Sequence, residues 1–169
     1  MSESATLFSD HLLIHGNDSA DFSFSQPPFS TLIDSRVLVA LADQKFAHPT
    51  LVQAKAIPLL LEGKDVLARA RTGSGKTAAY VVPAVQKILE AKAVSSMCRY
   101  TGAALIKSQD LSPASAEYQA TRAVILVPTK ELALQVTSFI KNVTKYCEGL
   151  VQCVDVAAGG ASIQRCVRN

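Results

Sequence analysis

Residues 66–89 constrain the fold of this chain more than any other stretch, because a short apolar run, a glycine-containing loop and an amphipathic pattern follow one another directly. The run VLARA at residues 66–70 favours a β-strand, and turn residues at 63–65 precede it. After the loop, apolar side chains recur at the spacing of one helical face. They are Tyr80, Val81, Val85, Ile88 and Leu89. Together the three pieces predict a strand–loop–helix unit.

The loop of this unit, residues 70–77, reads ARTGSGKT. Gly73 and Gly75 lack a Cβ atom, so the backbone can turn its N–H groups onto an anion, and the positive end of the following helix favours the same ligand. Lys76 is placed to reach terminal phosphates, and Thr77 is placed to hold a magnesium ion with its hydroxyl. The context predicts a phosphate-binding P-loop. The alternative is an ordinary strand-to-helix turn, since the first position is alanine where the general pattern has glycine.

The composition limits the remaining possibilities. The chain has 169 residues, of which 49% are hydrophobic, so it has room for one domain with a sizeable core. Its formal net charge of +3 permits contact with nucleic acid without arguing for it. No apolar run is long enough to span a bilayer and no secretory signal is evident, which predicts a soluble intracellular protein without membrane contact. The four cysteines follow no metal-ligand spacing and are expected to be unpaired thiols: Cys98, Cys147, Cys153 and Cys166.

Two stretches are predicted to lack regular structure. Residues 1–28 are rich in Ser, Asp and Pro and are expected to form a disordered leader. Residues 91–119 are polar and irregular, which indicates a flexible insertion. Between the leader and the P-loop, residues 29–46 predict a helix whose candidate N-cap is Ser30 or Asp34.

A second helix is predicted to begin at Thr50 and to end at Gly63. Thr50 and Gln53 have the spacing of a capping box. Phe46 is a large aromatic residue in the loop seven positions before Gln53. A planar ring and an amide are the minimum set for holding an adenine. The residues alone leave both interpretations open, a helix cap and an adenine site.

After the insertion, residues 122–128 form a continuous apolar run, which is typical of a strand buried on both faces of a parallel sheet. A helix opens at Thr129, and its predicted inward side chains are Leu132, Val136, Phe139, Ile140, Val143 and Tyr146. A third apolar run, residues 150–158, precedes Gly159 and Gly160. Strand, helix, strand, helix, strand predicts an α/β fold, the start of a doubly wound parallel sheet with helices on both faces.

These segments together resemble the DEAD-box RNA helicases. Residues 45–58 resemble the Q motif of that family, and residues 70–77 resemble its motif I, AxTGSGKT, which has alanine at the first position. PTKELALQ at residues 128–135 resembles motif Ia, which usually reads PTRELA, and the pair Gly159 and Gly160 resembles the GG element. The resemblance implies the first RecA-like domain of a two-domain helicase.

The same resemblance implies ATP and Mg²⁺ as ligands. In the family the aromatic residue stacks on the adenine and the glutamine reads its edge, which gives these roles to Phe46 and Gln53. The implied ATP-binding residues are Phe46, Thr50, Gln53, Thr72, Gly73, Ser74, Gly75, Lys76 and Thr77. Lys76 and Thr77 are the implied catalytic residues. Thr77 is the implied magnesium ligand, beside a Walker-B aspartate that this sequence lacks.

RNA is the implied partner of the later motifs. Motif Ia of the family grips the sugar-phosphate backbone, and the free N–H groups and the lysine at a helix start suit phosphate. A capped helix with nothing bound is the alternative for this segment. The implied RNA-binding residues are Pro128, Thr129, Lys130, Gly159 and Gly160.

Two departures from the family pattern concern the Q motif. Lys45 stands where a glycine is usual before the aromatic residue. The further-upstream aromatic residue of the family would fall near Pro28, which puts Phe29 one position away from it.

Residues 29–169 are thus expected to be an incomplete RecA-like domain. After the P-loop the sequence contains no D-E-A-D, no S-A-T and no second RecA-like domain, so we expect it to be the N-terminal part of an ATP-dependent RNA helicase and to be inactive alone. A non-enzymatic ATP- or RNA-binding module is the alternative; a different P-loop enzyme, such as a nucleotide kinase, is disfavoured by the Q motif and PTKELA. ARARTGSGKTAAY and LVPTKELA look most like nucleolar helicases of large-subunit ribosome assembly. That likeness implies pre-ribosomal partners and a nucleolar or nuclear location, with the cytoplasm as the alternative.

Overall fold

The computed structural model describes residues 23–100, 121–147 and 149–156, and of residues 94–100 the backbone only. Within these ranges the chain forms five helices: α1 (Phe29–Leu32), α2 (Ser35–Asp43), α3 (Leu51–Leu61), α4 (Lys76–Tyr100) and α5 (Lys130–Val143). No helix in this part of the chain is long and apolar enough to cross a membrane. Several predictions lie outside the described residues, namely those on residues 1–22, on 101–119, on Gly159 and Gly160, and on the side chains of Cys98 and Cys166.

The helix predicted within residues 29–46 is divided into α1 and α2. Asp34 starts α2, because its carboxylate accepts a hydrogen bond from the backbone N–H of Arg36 at 2.9 Å. Asp34 is therefore the N-cap, whereas Ser30 lies inside α1. The Arg36 guanidinium also donates to this carboxylate at 2.9 Å, which lowers the pKa of Asp34.

The C-terminal end of α2 is a Schellman motif. The N–H of Lys45 donates to the carbonyl of Ala42 at 2.9 Å, and the N–H of Phe46 donates to that of Leu41 at 3.0 Å. Lys45 has a φ angle of 63°, and no other described residue except glycine has a positive φ. This left-handed conformation costs a residue with a Cβ atom roughly 1–2 kcal/mol. Glycine adopts this conformation without that cost, which accounts for the expectation of glycine at this position.

Helices α3 and α4 begin where the sequence predicts. α3 starts after Thr50, and Gly63, with a φ angle of 84°, follows its end. α4 extends to Tyr100, so the predicted irregular connection is wrong for residues 91–100. The alanine and lysine residues that follow the P-loop helix favour its continuation, and the sequence contains no glycine or proline there before Gly102.

The core lies where α4 packs against α3 and α5. The predicted apolar face of α4 is confirmed, because Val81, Val85 and Leu89 are buried and Tyr80 and Ile88 are half-buried. The other helices contribute buried side chains to the same cluster: Phe29, Val37, Leu41, Ile57, Val136, Ile140 and Val143. Burial of this continuous apolar surface is the main force that holds the helices together.

The predicted inward face of α5 is confirmed within the helix. Val136, Ile140 and Val143 are buried, and Phe139 is half-buried. Leu132, in the first turn, lines the same cleft as Val136 and Phe139 but is 39% exposed, so it points inward without being buried. Hydrophobic periodicity gives the direction of a face but not how far along the helix the neighbouring elements extend.

Tyr146 is wrongly predicted as an inward residue of α5, because it lies beyond the end of that helix and is exposed. Its hydroxyl donates a hydrogen bond to Oδ2 of Asp43 at 2.6 Å, and the Lys145 ammonium contacts the same oxygen at 3.2 Å. These two bonds, that of Tyr146 above all, lower the pKa of Asp43. They tie the last residue of α2 to the segment that follows α5.

The three predicted strands are not paired in the described part of the chain. Residues 66–70, 122–128 and 151–156 have no helical or ladder structure there. The predicted parallel sheet therefore stays a prediction.

Burial alternates from one residue to the next in the second and third of these runs. Ile125 and Val127 pack against the core, whereas Val124 is 75% exposed and Leu126 is 89% exposed. Residues 151–156 show the same alternation. Period-two burial is the pattern of a strand with one covered face. The prediction that residues 122–128 are buried on both faces is wrong for this structure.

A cleft of about 660 Å³ lies among these runs and the helices. Val66 and Ala68 of the first run and Val127 of the second run line it. The helices contribute mainly apolar side chains, among them Ala56, Leu60, Ala79, Val136 and Phe139. The first two runs thus border one apolar space without pairing as strands.

Replacing Lys45 with glycine should raise the free energy of unfolding by about 0.5–1 kcal/mol. Glycine removes the Cβ penalty of the left-handed conformation, and the greater freedom of glycine in the unfolded chain offsets about half of that gain. Urea denaturation of the parent and the variant measures the difference.

Ala42→Gly is the matched control, because Ala42 is exposed and lies within the right-handed α2. This substitution should lower the free energy of unfolding by about 1 kcal/mol. A Lys45→Gly variant that loses stability as Ala42→Gly does would contradict the left-handed assignment.

Candidate functional site

The P-loop takes its shape from two glycines. Gly73 and Gly75 have φ angles of 81° and 84°, in a region that favours glycine. Between them, the N–H of Ser74 donates to the carbonyl of Arg71 at 3.3 Å. α4 begins at Lys76, within the last two residues of the loop, so the first N–H groups of that helix, which have no helical acceptors, lie at the loop. Such a helix start attracts anions.

The side chain of Gln53 joins this loop to α3. Gln53 is 0% exposed; its Oε1 accepts from the N–H of Thr50 at 2.9 Å, and its Nε2 donates to the carbonyl of Gly75 at 3.0 Å. The Thr50 hydroxyl adds a second link, because it donates to the carbonyl of Ser74 at 2.8 Å. The predicted capping box is confirmed. The same two residues also hold the P-loop in place.

Gly75 is required for a second reason besides its φ angle. A Cβ atom at this position would overlap Nε2 of Gln53 and would lie 3.2 Å from Oγ1 of Thr50. Gly73 and Gly63 have similar φ angles, but a Cβ atom on either would meet nothing within 4 Å. Gly75 is therefore the point where the side chains at the start of α3 approach the loop closely.

The side chain of Lys76 turns back onto the loop. Its Nζ donates to the carbonyl of Ala70 at 2.6 Å and to that of Arg71 at 2.5 Å. The ammonium group is thus held by the backbone of the loop itself. A charged phosphate oxygen is a stronger acceptor than a neutral carbonyl, so Lys76 can exchange these partners for a phosphate.

A buried hydroxyl marks the same loop as a place for a ligand. Oγ of Ser74 is buried and has no hydrogen-bond partner among the described residues. Leaving a buried hydroxyl without a hydrogen bond lowers stability by about 1–3 kcal/mol, so a ligand that offers an acceptor to this hydroxyl would be favoured. Ser74, Lys76 and the start of α4 bring together donors that suit an anion. The loop therefore fits the phosphate groups of a nucleotide.

The fit to Mg²⁺ rests on Thr77, the second residue of α4. Thr77 is half-buried, and its side chain lines the cleft next to Lys76. The described residues contain no group of three or more His, Cys, Asp or Glu side chains that could hold a metal ion. Within this part of the chain, Thr77 would hold the ion together with phosphate oxygens and water, ligands that Mg²⁺ accepts.

The predicted adenine residues are both engaged within the protein. Phe46 is half-buried, and its ring meets that of Phe139 edge to face, with the centroids 5.8 Å apart and an interplanar angle of 63°. The amide of Gln53 is fully buried, so its predicted role at the adenine edge stays a prediction. Phe29 is 1% exposed and packs against Phe24, which makes it a core residue. Thr72 lies exposed on the loop.

The predicted RNA-binding residues of motif Ia lie at the exposed start of α5. Pro128, Thr129 and Lys130 are exposed. The Thr129 hydroxyl accepts a hydrogen bond from the N–H of Leu132 at 3.3 Å, so Thr129 is the N-cap of α5. The hydroxyl of Thr129 thus serves the helix cap, and the role of Thr129 in RNA binding stays a prediction. The glycine pair of the GG element lies outside the described residues.

Two features of the site were missed by the sequence reasoning. The bond from Gln53 to Gly75 joins residues 22 positions apart, and the capping-box spacing gave no sign of it. Phe139 was predicted only as a core residue of α5. The sequence signal for its contact with Phe46 was the presence of an aromatic residue on the buried face of the helix that motif Ia opens.

A comparison with protein families matches residues 50–168, more than half of the chain, to the model described as DEAD/DEAH box helicase. This chain belongs to the DEAD/DEAH box helicase family. The matched residues include the P-loop and the start of α5.

Relatives in fungi carry a similar sequence within longer proteins. ATP-dependent RNA helicase DBP9 of Cryptococcus neoformans var. neoformans serotype D is 84% identical over 150 residues, which are 89% of this chain and 21% of that protein. ATP-dependent RNA helicase dbp9 of Aspergillus oryzae is 45% identical over 139 residues, which are 82% of this chain and 19% of that protein. The chain spans about a fifth of the length of these curated relatives.

Solved structures of DEAD-box helicases share the fold. The match to the DEAD-box helicase Mss116 bound to ssRNA and UDP-BeF covers 88% of this chain and 26% of the Mss116 chain, with a TM-score of 0.63 and 24% identity. A structure of Mss116p bound to ssRNA and AMP-PNP covers 80% of this chain and 23% of its own, with a TM-score of 0.57 and 26% identity. The described helices thus follow the arrangement of a RecA-like domain of that family.

Gly75→Ala should lower the free energy of unfolding more than Gly63→Ala does. Both changes place a Cβ atom at a positive φ angle, at a cost of roughly 1–2 kcal/mol each. Only Gly75→Ala also displaces the amide of Gln53, which should add about 1–3 kcal/mol for the buried groups left unpaired. Chemical denaturation of the two variants measures the gap.

The Gln53→Ala background isolates the cause of this gap. With the amide removed, the new methyl group meets only Oγ1 of Thr50, at 3.2 Å, so most of the gap between the two glycine substitutions should disappear. An equal gap in both backgrounds would show that Gln53 does not determine the need for glycine at position 75.

Proposed function

We propose that this chain is the ATP-binding part of an ATP-dependent RNA helicase. The observation that carries the proposal is the set of donors at the P-loop: two left-handed glycines, an unpartnered buried hydroxyl on Ser74 and the ammonium of Lys76 at the start of α4. These groups suit polyphosphate. Membership of the DEAD/DEAH box helicase family supports ATP as the nucleotide.

Residues 73–77 of the loop each have a task in this proposal. The N–H groups of residues 73–77 hold the phosphates, Ser74 donates its hydroxyl to a phosphate oxygen, and Lys76 leaves the loop carbonyls to pair with the terminal phosphates. Bound magnesium, held by the Thr77 hydroxyl, would neutralise negative charge that develops on the phosphates. Phe46 provides a ring for the adenine, and Gln53 keeps the loop and α3 in register.

The start of α5 is the proposed contact with RNA. Lys130 is exposed at the first position of the helix, where the helix dipole and the lysine charge both favour phosphate. Full-length relatives are named as RNA helicases, and the Mss116 structures contain single-stranded RNA. Coupling of ATP hydrolysis to RNA unwinding belongs to the whole protein. The 169 residues by themselves are proposed not to hydrolyse ATP, because their sequence contains no D-E-A-D.

The unpaired runs are the proposed strands of a parallel sheet. Alternating burial in residues 122–128 and a shared apolar cleft support this proposal. Slow amide hydrogen exchange across residues 122–128 of the full-length protein would support pairing, and fast exchange would refute it.

Pre-ribosomal particles are the proposed partners, and the nucleolus is the proposed location. Two observations support this proposal: the P-loop and motif Ia resemble those of nucleolar helicases, and the chain is 84% identical to DBP9 over 150 residues. Co-sedimentation of the full-length protein with large-subunit precursors tests this setting.

Lys76→Ala should lower the ATPase rate of the full-length protein by roughly 10²–10³-fold, because the ammonium no longer stabilises charge on the transferred phosphate. Lys87→Ala is the matched control, since Lys87 is an exposed lysine on the same helix. ATP hydrolysis is measured for both variants with the unfolding midpoint. Undiminished turnover in a folded Lys76→Ala protein would overturn the assignment of the P-loop.

Lys130→Glu should weaken RNA binding and lower the slope of log Kd against log salt by about one, because one phosphate contact is lost. Lys141→Glu makes the same change in the last turn of α5 and should leave both quantities nearly unchanged. Titration of single-stranded RNA at several salt concentrations measures them. Equal effects of the two substitutions would indicate general charge repulsion instead of a contact at Lys130.

A further inference from the structure

The contact between Phe46 and Phe139 joins the proposed adenine site to α5. The two rings meet edge to face, with centroids 5.8 Å apart and an interplanar angle of 63°. Both rings are half-buried and pack against the main core cluster. Edge-to-face packing is a preferred geometry for two aromatic rings, so each ring restricts the orientation of the other.

The backbone of Phe46 is fixed independently of that contact. Its N–H closes the Schellman motif at the end of α2, and the neighbouring Lys45 is locked in a left-handed conformation. What remains adjustable is the rotation of the Phe46 side chain. The ring that meets it comes from α5, and the bond from Tyr146 to Asp43 fastens the segment after α5 to the last residue of α2.

We propose that Phe139 is a positioning residue for the adenine base, acting through the ring of Phe46. This inference rests on the proposed function, in which Phe46 stacks on adenine. Phe139 sets the plane that Phe46 offers to the base, because a leucine or alanine in its place would allow the Phe46 ring to rotate. Phosphate binding does not depend on this contact, since the loop is held by Gln53 and Thr50 instead.

The test compares two ligands in the full-length protein, ATP and inorganic tripolyphosphate. Phe139→Leu should weaken ATP binding by about three- to tenfold, the range expected for loss of an aromatic pair. Tripolyphosphate has no base, so its affinity should stay unchanged. Phe139→Tyr keeps the ring and should restore the affinity for ATP. Phe139→Met serves as a second variant if the leucine protein does not fold.

Phe24→Leu is the matched control. Phe24 and Phe29 form a similar edge-to-face pair in the core, with centroids 5.4 Å apart and an interplanar angle of 62°. Removing that pair should reduce stability without changing the ratio of ATP affinity to tripolyphosphate affinity. In addition, Phe139→Leu should cause no further loss of ATP affinity in a Phe46→Leu background, because its effect passes through Phe46.

The outcomes separate this inference from the proposed function. If the parent protein binds no ATP, the proposed function fails and the inference fails with it. If the parent binds ATP and Phe139→Leu binds it equally well, only the inference is overturned. Equal weakening of ATP and tripolyphosphate would likewise overturn it, because that result indicates a general loss of structure.

Discussion

The buried amide of Gln53 is the interaction on which the candidate site depends. One side chain satisfies the N–H of Thr50 at the start of α3 and the carbonyl of Gly75 in the P-loop. Because Gln53 is fully buried, neither of its polar atoms has water as an alternative partner. The P-loop therefore takes its position from α3 as well as from the helix that follows it. The close approach also determines that residue 75 is a glycine.

The site is built from parts that are near one another in sequence. The start of α3, the P-loop and the start of α4 lie within residues 50–77, and their hydrogen bonds are local or link neighbouring elements. Helix α4 anchors them, because its buried face packs against α3 and α5. The phosphate-binding geometry is consequently present although the predicted strands are unpaired in the described residues.

The sequence predicts the features of this fold that local chemistry determines. Asp34, Thr50 and Gly63 mark helix ends as predicted, since capping depends on a few adjacent residues. Burial was harder to predict: Leu126 is exposed although its run is continuously apolar, because burial depends on what covers each face. The end of α4 was missed for lack of a strong stop signal. The left-handed conformation of Lys45 could not be predicted from the residue itself, because lysine rarely adopts a positive φ angle.

The ammonium group of Lys76 is hydrogen-bonded to the backbone of its own loop. The ammonium occupies the carbonyls of Ala70 and Arg71, so ligand binding is an exchange of partners instead of the capture of an unpaired cation. The net attraction for phosphate is then the difference between two hydrogen-bonded states, which is smaller than the strength of the new ion pair. These two bonds also restrain the loop, which reduces the conformational entropy that is lost when a nucleotide binds.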